Sequence, residues 1–425
     1  MQNHQFGEQR QDRAFWVNRF LETRSATEGL ASGLTPEDQT IQSMPDCSPT
    51  KWHLAHTTWF FETFLLEPFA IDYRAFAPEF RYLFNSYYEA VGPRHPRPQR
   101  GMLSRPAVSE VLAYRTAVTT QMRTLIERAE ENRWQQVLPI LELGLNHEQQ
   151  HQELILMDIK YTFSVNPLEP IYRARPSAVA AKEPISLDWI EFPGGLVEIG
   201  ATDGFFFDNE GPRHKQWLEP YRLASRLVTC GEYLAFMRDD GYRRPELWLS
   251  DGWQNVLAQN WRAPLYWRED GTTWSVFTLA GRRPVEPSEP VVHASYYEAD
   301  AFTRWAGHRL PREGEWEHAA QSVPLAGNLL DTERLHPTAA PAGPGLRQMI
   351  GDVWEWTQSA HSPYPGYRAA EGAIGEYNGK FMSGQMVLRG GAAVTPAGHI
   401  RRSYRNFFPP SARWAFSGIR LAEDA

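Results

Sequence analysis

The sequence predicts two domains of different class, a four-helix bundle (α) followed by an irregular α+β domain, and three observations carry that reading. Through four long stretches before residue 165, apolar residues recur every three or four positions, the period of a helix with one buried face. Between Asn166 and Pro184 the chain carries Pro167, Pro170, Pro176 and Pro184 among alanines, the composition of a linker. Beyond it the helical period gives way to short segments rich in Gly, Trp, Pro and Tyr, the texture of a loop-rich α+β domain. A chain of 425 residues also exceeds what one ordinary core serves. The expected division is residues 1–165, a linker at 166–186, and 187–425.

In order along the chain, the first helix is expected from Asp12 to Leu30, with Trp16, Val17, Phe20 and Leu21 on its buried side. Thr35-Pro36-Glu37-Asp38 reads as the cap of a short second piece. Ser48-Pro49-Thr50 opens a helix that runs through Lys51-Trp52-His53-Leu54-Ala55-His56 to Leu66, with Pro68 closing it. An irregular section rich in Tyr, Arg and Pro covers Tyr82 to Pro106, and a third long amphipathic helix covers Val108 to Glu131. The fourth, from Trp134 to Phe163, follows from the stepping of Leu138, Leu141, Leu145, Leu154 and Met157, with Pro139 near its start, where proline is tolerated. Four helices with one long crossover describe a bundle, and bundle interiors host metal sites built from facing helices.

Composition narrows the function. Apolar residues at 42% and aromatics at 13% suit a globular, enzyme-like protein and exclude a disordered one. With a net charge of -8 and no long Lys/Arg run, nucleic acid is not an expected partner. No apolar signal region opens the chain and no stretch reaches the eighteen or so apolar residues of a membrane span, so a soluble cytoplasmic protein is expected. Cys47 and Cys230 are the only cysteines and stand far apart in sequence, which suits cytosolic thiols and excludes a disulfide framework or a Cys-rich metal site.

The chemistry centres on Asn146-His147-Glu148-Gln149-Gln150-His151-Gln152-Glu153 in the fourth helix. His147 and His151 are four apart, so both rings leave the same face one turn from each other and can grip one ion. Glu148 and Glu153 are rotated away from that face, so neither completes the site and a third ligand must come from elsewhere. A lone pair of this spacing is also what two hydrogen-bonded histidines on a half-buried face look like. The second long helix supplies the partner: His53 and His56 lie three apart, both can face the bundle axis, and either could meet the pair. Three neutral imidazoles leave open coordination positions, which suits zinc, nickel or ferrous iron alike.

The second half carries a set of phrases in fixed order: Phe207-Asp208-Asn209-Glu210-Gly211-Pro212, Val228-Thr229-Cys230-Gly231-Glu232-Tyr233-Leu234-Ala235-Phe236, Pro290-Val291-Val292-His293-Ala294-Ser295-Tyr296-Tyr297, Arg309-Leu310-Pro311-Arg312-Glu313-Gly314-Glu315-Trp316-Glu317, Gly351-Asp352-Val353-Trp354-Glu355-Trp356, Leu388-Arg389-Gly390-Gly391 and Gly418-Ile419-Arg420-Leu421-Ala422. Together they resemble the formylglycine-generating-enzyme/sulfatase-modifying domain, a variant of the C-type lectin fold. The catalytic cysteine pair of those enzymes has no counterpart between Leu388 and Ala425, so their copper-thiolate chemistry is not expected. Most of the Trp, Gly and Arg residues in these phrases read as scaffold.

The two halves together, with Leu54-Ala55-His56 and H-x-x-x-H-x-E ahead of the lectin-like domain, resemble the iron-dependent sulfoxide synthases of ergothioneine biosynthesis, the EgtB family. The resemblance implies a DinB-type bundle, an Fe(II) cofactor held by His56, His147 and His151 at the domain junction, and His53 in a supporting or packing role. It implies O2 and a thiol as substrates joined to hercynine (N-α-trimethylhistidine) through a carbon–sulfur bond and a sulfoxide. Gln150, Tyr377 and Asn406 match positions that contact hercynine.

Two departures from the actinobacterial branch refine this. The position three before Tyr377, where that branch has its proton-donating tyrosine, is Ile374, and Tyr87-Tyr88 in the crossover are the expected replacements. Where that branch reads N-W-D-x-x-x-R and grips a glutamyl group, this chain reads Asn406-Phe407-Phe408-Pro409-Pro410-Ser411-Ala412, so Phe407 and Phe408 join the substrate-lining set and both charges are lost. Free cysteine rather than γ-glutamylcysteine is then the expected thiol, with two of Arg94, Arg97 and Arg100 pairing its carboxylate. The competing readings are an ovothiol-type enzyme acting on histidine, a DinB-type metal-dependent thiol transferase, and a binding protein with a purely structural bundle.

Overall fold

The computed structural model describes residues 12–174, 185–369, 371–376 and 378–425. They fall into two compact units, one of 12–166 with 203–205 and 371–376, the other of 167–174, 185–202, 206–369 and 378–425. No helix among the described residues is long and apolar enough to cross a membrane.

The first unit is built on four helices, α1 (Arg13–Ala31), α2 (Thr50–Phe61), α3 (Val108–Arg128) and α4 (Glu131–Ser164). Asp12 caps α1 by accepting from the Ala14 N–H at 2.9 Å. Helices α1 and α3 each bury one stripe, including Trp16 and Phe20, and Val111 and Val118, while α4 buries a stripe with Val137 and Leu141 in its first part and is buried nearly all round from Gly144 onward. Every residue of α2 is buried, so it is the central element, and its polar residues Lys51, His53, His56, Thr57 and Thr58 must all find partners inside the protein.

Three local expectations are corrected. The helical path of α2 does not end before Pro68: it continues through a π-helical turn at Glu62–Leu66 into Glu67–Phe69. Buried Glu62 in that turn accepts from the hydroxyls of Tyr73 and Tyr114 and the Phe76 N–H. Pro139 is the ninth residue of α4, in its interior, because the helix begins at Glu131 and not at Trp134. Thr35 and Asp38 do exchange the two hydrogen bonds of a capping box, at 3.0 and 3.2 Å, but they close a turn with no helix behind it.

The second unit holds four small sheets. Strands β1 (Trp189–Phe192), β4 (Tyr221–Ala224) and β12 (Ala422–Asp424) form one, and β2 (Gly195–Ile199) pairs β3 (His214–Leu218). Strands β5 (Trp267–Asp270), β6 (Thr273–Thr278) and β7 (Gly281–Pro284) form the third. The fourth has the order β10 (Asn406–Phe408), β9 (Met386–Arg389), β8 (Trp354–Ala360), β11 (Ser417–Gly418). Helices α5 (Cys230–Arg238), α6 (Ser250–Gln259), α7 (Tyr296–Trp305) and α8 (Glu313–Ala320) lie between them in sequence. Of the stretch read as a linker, Glu169 pairs with Arg282 at 2.6 Å and the N–H groups of Tyr172 and Arg173 donate to the Leu279 carbonyl, while 175–184 lies outside the described residues.

The recurring phrases of this half prove to be each other's partners. Thr229 and Glu232 form the capping box of α5, and Ser295 and Glu298 that of α7. Glu355 of the G-D-V-W-E-W phrase, fully buried on β8, takes the Arg420 guanidinium at 2.7 Å and the Trp316 indole N–H at 2.9 Å. Arg389 of L-R-G-G reaches Glu313 and Glu317 at 2.9 and 2.8 Å. Gly390 has a φ of +100°, and a Cβ there would sit 2.6 Å from the Met349 carbonyl oxygen, so no other residue fits.

Candidate metal centre

The facing sides of α2 and α4 bring together the one group of three or more potential metal-binding side chains found among the described residues: His56, His147 and His151, all buried, with their ligand atoms within 4.8 Å of one another. His56 Nδ1 lies 2.6 Å from the Phe84 carbonyl oxygen. A carbonyl only accepts, so Nδ1 carries the proton and Nε2 presents its lone pair. That Nε2 faces His147 Nε2 at 3.2 Å, a gap that a single ion with bonds of roughly 2.0–2.1 Å to imidazole nitrogen spans. His151 directs Nδ1 to His53 Nδ1 at 2.8 Å, which leaves its Nε2 as the ligand atom.

Burial also sets the charge state. It pushes the His147 pKa down to about 3, and it holds His56 and His151 well below the usual imidazole range, with the neighbouring histidines adding to the effect. All three rings are therefore neutral near pH 7, the form in which imidazole binds a metal. The donor set fits a divalent ion. Aromatic rings close around it: Trp52 and Trp59 stack on His56 at 4.6 and 5.5 Å, and Phe60 lies 4.8 Å from His147.

Glu148 points away from the cluster, as its place on the helix requires. It bridges Arg24 and Arg115, each at 2.8 Å, and all three side chains are buried. Burial alone would raise the Glu148 carboxyl, and the two guanidiniums overcome this and hold it below the usual carboxylate range. The bridge ties α1, α3 and α4 together one residue from a ligand. Arg24 and Arg115 were missed by the sequence reading, although each stands on the apolar stripe of its helix, the signal of a buried partner.

Tyr88 is fully buried against Trp59 and Phe64, with ring centroids 5.6 and 5.2 Å away, and half-buried Tyr87 stacks on it at 4.7 Å. Tyr88 is thus one ring removed from His56 through Trp59. Glu376 anchors the turn that follows, accepting from the N–H groups of Glu89 and Ala90 at 3.0 and 2.8 Å.

The three crossover arginines separate. Arg94 is exposed and pairs with Glu89 at 2.5 Å, and exposed Arg97 donates to the Asp46 carbonyl. Arg100 is buried, stacks over Trp52 at 3.4 Å, and donates to Ser48 Oγ at 2.9 Å. Its Nε has no hydrogen-bond partner, and among the described residues no carboxylate pairs with it.

Gln150 sits half-buried on α4 between His147 and His151. In the second unit Asn406, Phe407 and Phe408 form the edge strand β10, where Phe407 stacks on His361 at 4.0 Å and Phe408 meets Trp414 at 5.6 Å. Tyr377 lies outside the described residues.

The chain is thus a helical bundle that gathers three buried histidines able to hold a metal ion, continued in sequence by a lectin-like α+β domain. Residues 19–155 match the DinB superfamily, and residues 177–340 and 336–425 match the Sulfatase-modifying factor enzyme 1-like domain. The chain is 32% identical to the hercynine oxygenase of Mycolicibacterium smegmatis, over 90% of this chain and 92% of that one. It is 32% identical to the hercynine oxygenase of Mycolicibacterium thermoresistibile, over 89% and 88%. It is 26% identical to ergothioneine biosynthesis protein 1 of Schizosaccharomyces pombe, over 52% of this chain and 28% of that one. The chain belongs to the hercynine oxygenase family, the EgtB family of enzymes, and is an oxidoreductase of that family.

Proposed function

We propose that this chain is an iron(II)- and O2-dependent sulfoxide synthase that joins the thiol of cysteine to the imidazole ring of hercynine in ergothioneine biosynthesis. The observation that carries the reading is the convergence of His56, His147 and His151 in a chain that aligns nearly end to end with hercynine oxygenases. Ferrous iron, when bound, would activate O2 and lower the pKa of a coordinated thiol. His56, His147 and His151 would hold that ion, and with only three protein ligands it would keep open positions at which the thiol, the substrate ring and O2 could be brought into contact. The stacked tryptophans and Phe60 keep bulk water from the rings.

Arg100 supports cysteine as the thiol. A buried guanidinium that makes no ion pair among the described residues, with Asp158 the carboxylate whose charge reaches it, can receive a further carboxylate, and that of a small amino acid meets the need. Phe408 and Ala412 stand where the other branch of the family has its acid and base, so a glutamyl group finds no charged partner at these positions. Gln150 on the ligand helix is proposed to contact hercynine, and Asn406, Phe407, Phe408 and Tyr377 keep the substrate-contact role that the resemblance implies. Tyr88, or Tyr87 stacked on it, supplies the proton that favours carbon–sulfur bond formation over plain oxidation of the thiol.

The test is product analysis with protein purified without oxygen, loaded with Fe(II), and given hercynine with either cysteine or γ-glutamylcysteine. The expected result is O2 uptake and the cysteine-adduct sulfoxide, with γ-glutamylcysteine the poorer substrate. Preference for histidine over hercynine would favour the ovothiol-type reaction instead, and tight zinc with no iron-dependent O2 uptake would favour a thiol transferase.

A further inference from the structure

Behind His151 runs a chain of polar contacts that the ligand set alone does not explain. His53 Nδ1 is 2.8 Å from His151 Nδ1, and His53 Nε2 is 3.0 Å from Asp158 Oδ2. Asp158 sits on α4 seven residues after His151, hence on the same face, and the same Oδ2 accepts the Ser48 N–H at 2.7 Å. All three side chains are at least nine-tenths buried.

The chain has a direction. The Asp158 carboxylate can only accept, so His53 Nε2 carries a proton and donates it. In neutral His53 the Nδ1 is then a bare lone pair, and one proton is needed between it and His151 Nδ1. That proton belongs to His151. The relay therefore selects the tautomer of His151 in which Nδ1 is protonated and Nε2 is free. Without it, the His151 ring could rotate or carry its proton on Nε2, and either would remove a ligand atom.

We infer that His53 and Asp158 act together as positioning residues, fixing the ring orientation and tautomer of His151 so that its Nε2 meets a metal ion. The inference rests on the three-histidine centre and extends the usual pattern, in which a metal-bound histidine donates directly to a carboxylate or carbonyl, by one imidazole. His56, whose Nδ1 donates to the Phe84 carbonyl, follows the direct form.

The test reads metal affinity and tautomer, both without substrate. Fe(II) and Co(II) are titrated anaerobically into the wild-type protein and into His53→Phe, Asp158→Leu, the double variant and Asp158→Asn. His53→Phe and Asp158→Leu should each weaken binding about 10- to 100-fold. The double variant should lose no more than the worse single one, because the two residues act in series. Asp158→Asn keeps an oxygen for both donors and should retain most of the affinity. Nitrogen NMR of the metal-free protein should show His151 with Nδ1 protonated in the wild type and a mixed population in His53→Phe.

Wild-type affinity in His53→Phe, or fully additive losses, would overturn the inference, as would an Nε2-protonated His151 in the wild type. If His53→Phe fails to fold, the two Asp158 variants and the wild-type NMR still decide it. Normal metal binding with no sulfoxide product would defeat the proposed function alone, and normal product formation with an indifferent His53 would defeat this inference alone.

Discussion

Tyr88 and Arg100 illustrate how a residue's surroundings assign its work. The Tyr88 ring is enclosed by Trp59, Phe60 and Phe64, with Tyr87 stacked on one face, so its position is fixed by packing. A hydroxyl held in this way can deliver a proton with little reorganisation. Replacing it by phenylalanine removes one oxygen and leaves the packing intact. If Tyr88 is the donor, Tyr88→Phe should shift product from the sulfoxide toward cysteine sulfinic acid by tenfold or more, on the scale of general-acid effects of about 10²–10⁴. Tyr87→Phe should behave so if the proton comes from the outer ring instead. Mass analysis of products from both variants checks this, and unchanged ratios in both would remove the tyrosines from the mechanism.

At this scale the pairing of His147 with His151 was legible in the sequence, because a spacing of four on a helix points both rings the same way. Spacing left His53 and His56 both open as the third, and the family resemblance chose His56, which the fold brings to the pair. Arg24, Arg115 and Asp158 were not legible. Their roles depend on which helices face each other, which a one-dimensional period does not encode.

At the scale of elements, the centre depends on how closely α4 approaches α2. Gly144 lies three residues before His147, where a Cβ would meet Phe61 at 2.6 Å and Phe60 at 3.0 Å. Both rings belong to a helix buried on every side and have nowhere to move. Gly144→Ala would gain about 1 kcal/mol of helix propensity, yet overpacking at a fixed crossing costs about 1–3 kcal/mol. The balance should be a net loss of stability in denaturant melts, together with weaker metal binding as His147 is pushed from His56. The neighbouring Phe60 ring, which touches both Gly144 and His147, transmits the shift.

Helix boundaries were the least legible elements. The π-helical turn at Glu62–Leu66 goes with the contacts of Glu62 to Tyr73 and Tyr114, and the early start of α4 with Arg13, which reaches the Ala129 carbonyl, Glu131 and the Trp134 ring; neither contact is encoded in the local signals of Pro68 and Pro139.

Over the whole molecule, the sequence carries two kinds of signal, and they differ in physical content. The bundle follows from periodicity, since the apolar stripes of α1, α3 and the first part of α4 can be buried only against one another and against α2, which is buried at every residue. The second unit follows from its recurring phrases, whose meaning is pairwise: Arg420 finds Glu355 across 65 residues and Arg389 finds Glu317 across 72. Those pairs make a scaffold and leave chemistry to be argued from other residues.

The proposed function requires that imidazoles from two helices hold one ferrous ion. X-ray absorption at the iron edge, on anaerobically loaded protein without substrate, tests it most directly. The expected result is one iron per chain with three imidazole nitrogens and only light oxygen donors besides, and the loss of the bound iron in His151→Ala. An iron with a sulfur ligand, fewer than three imidazoles, or full occupancy in His151→Ala would contradict it.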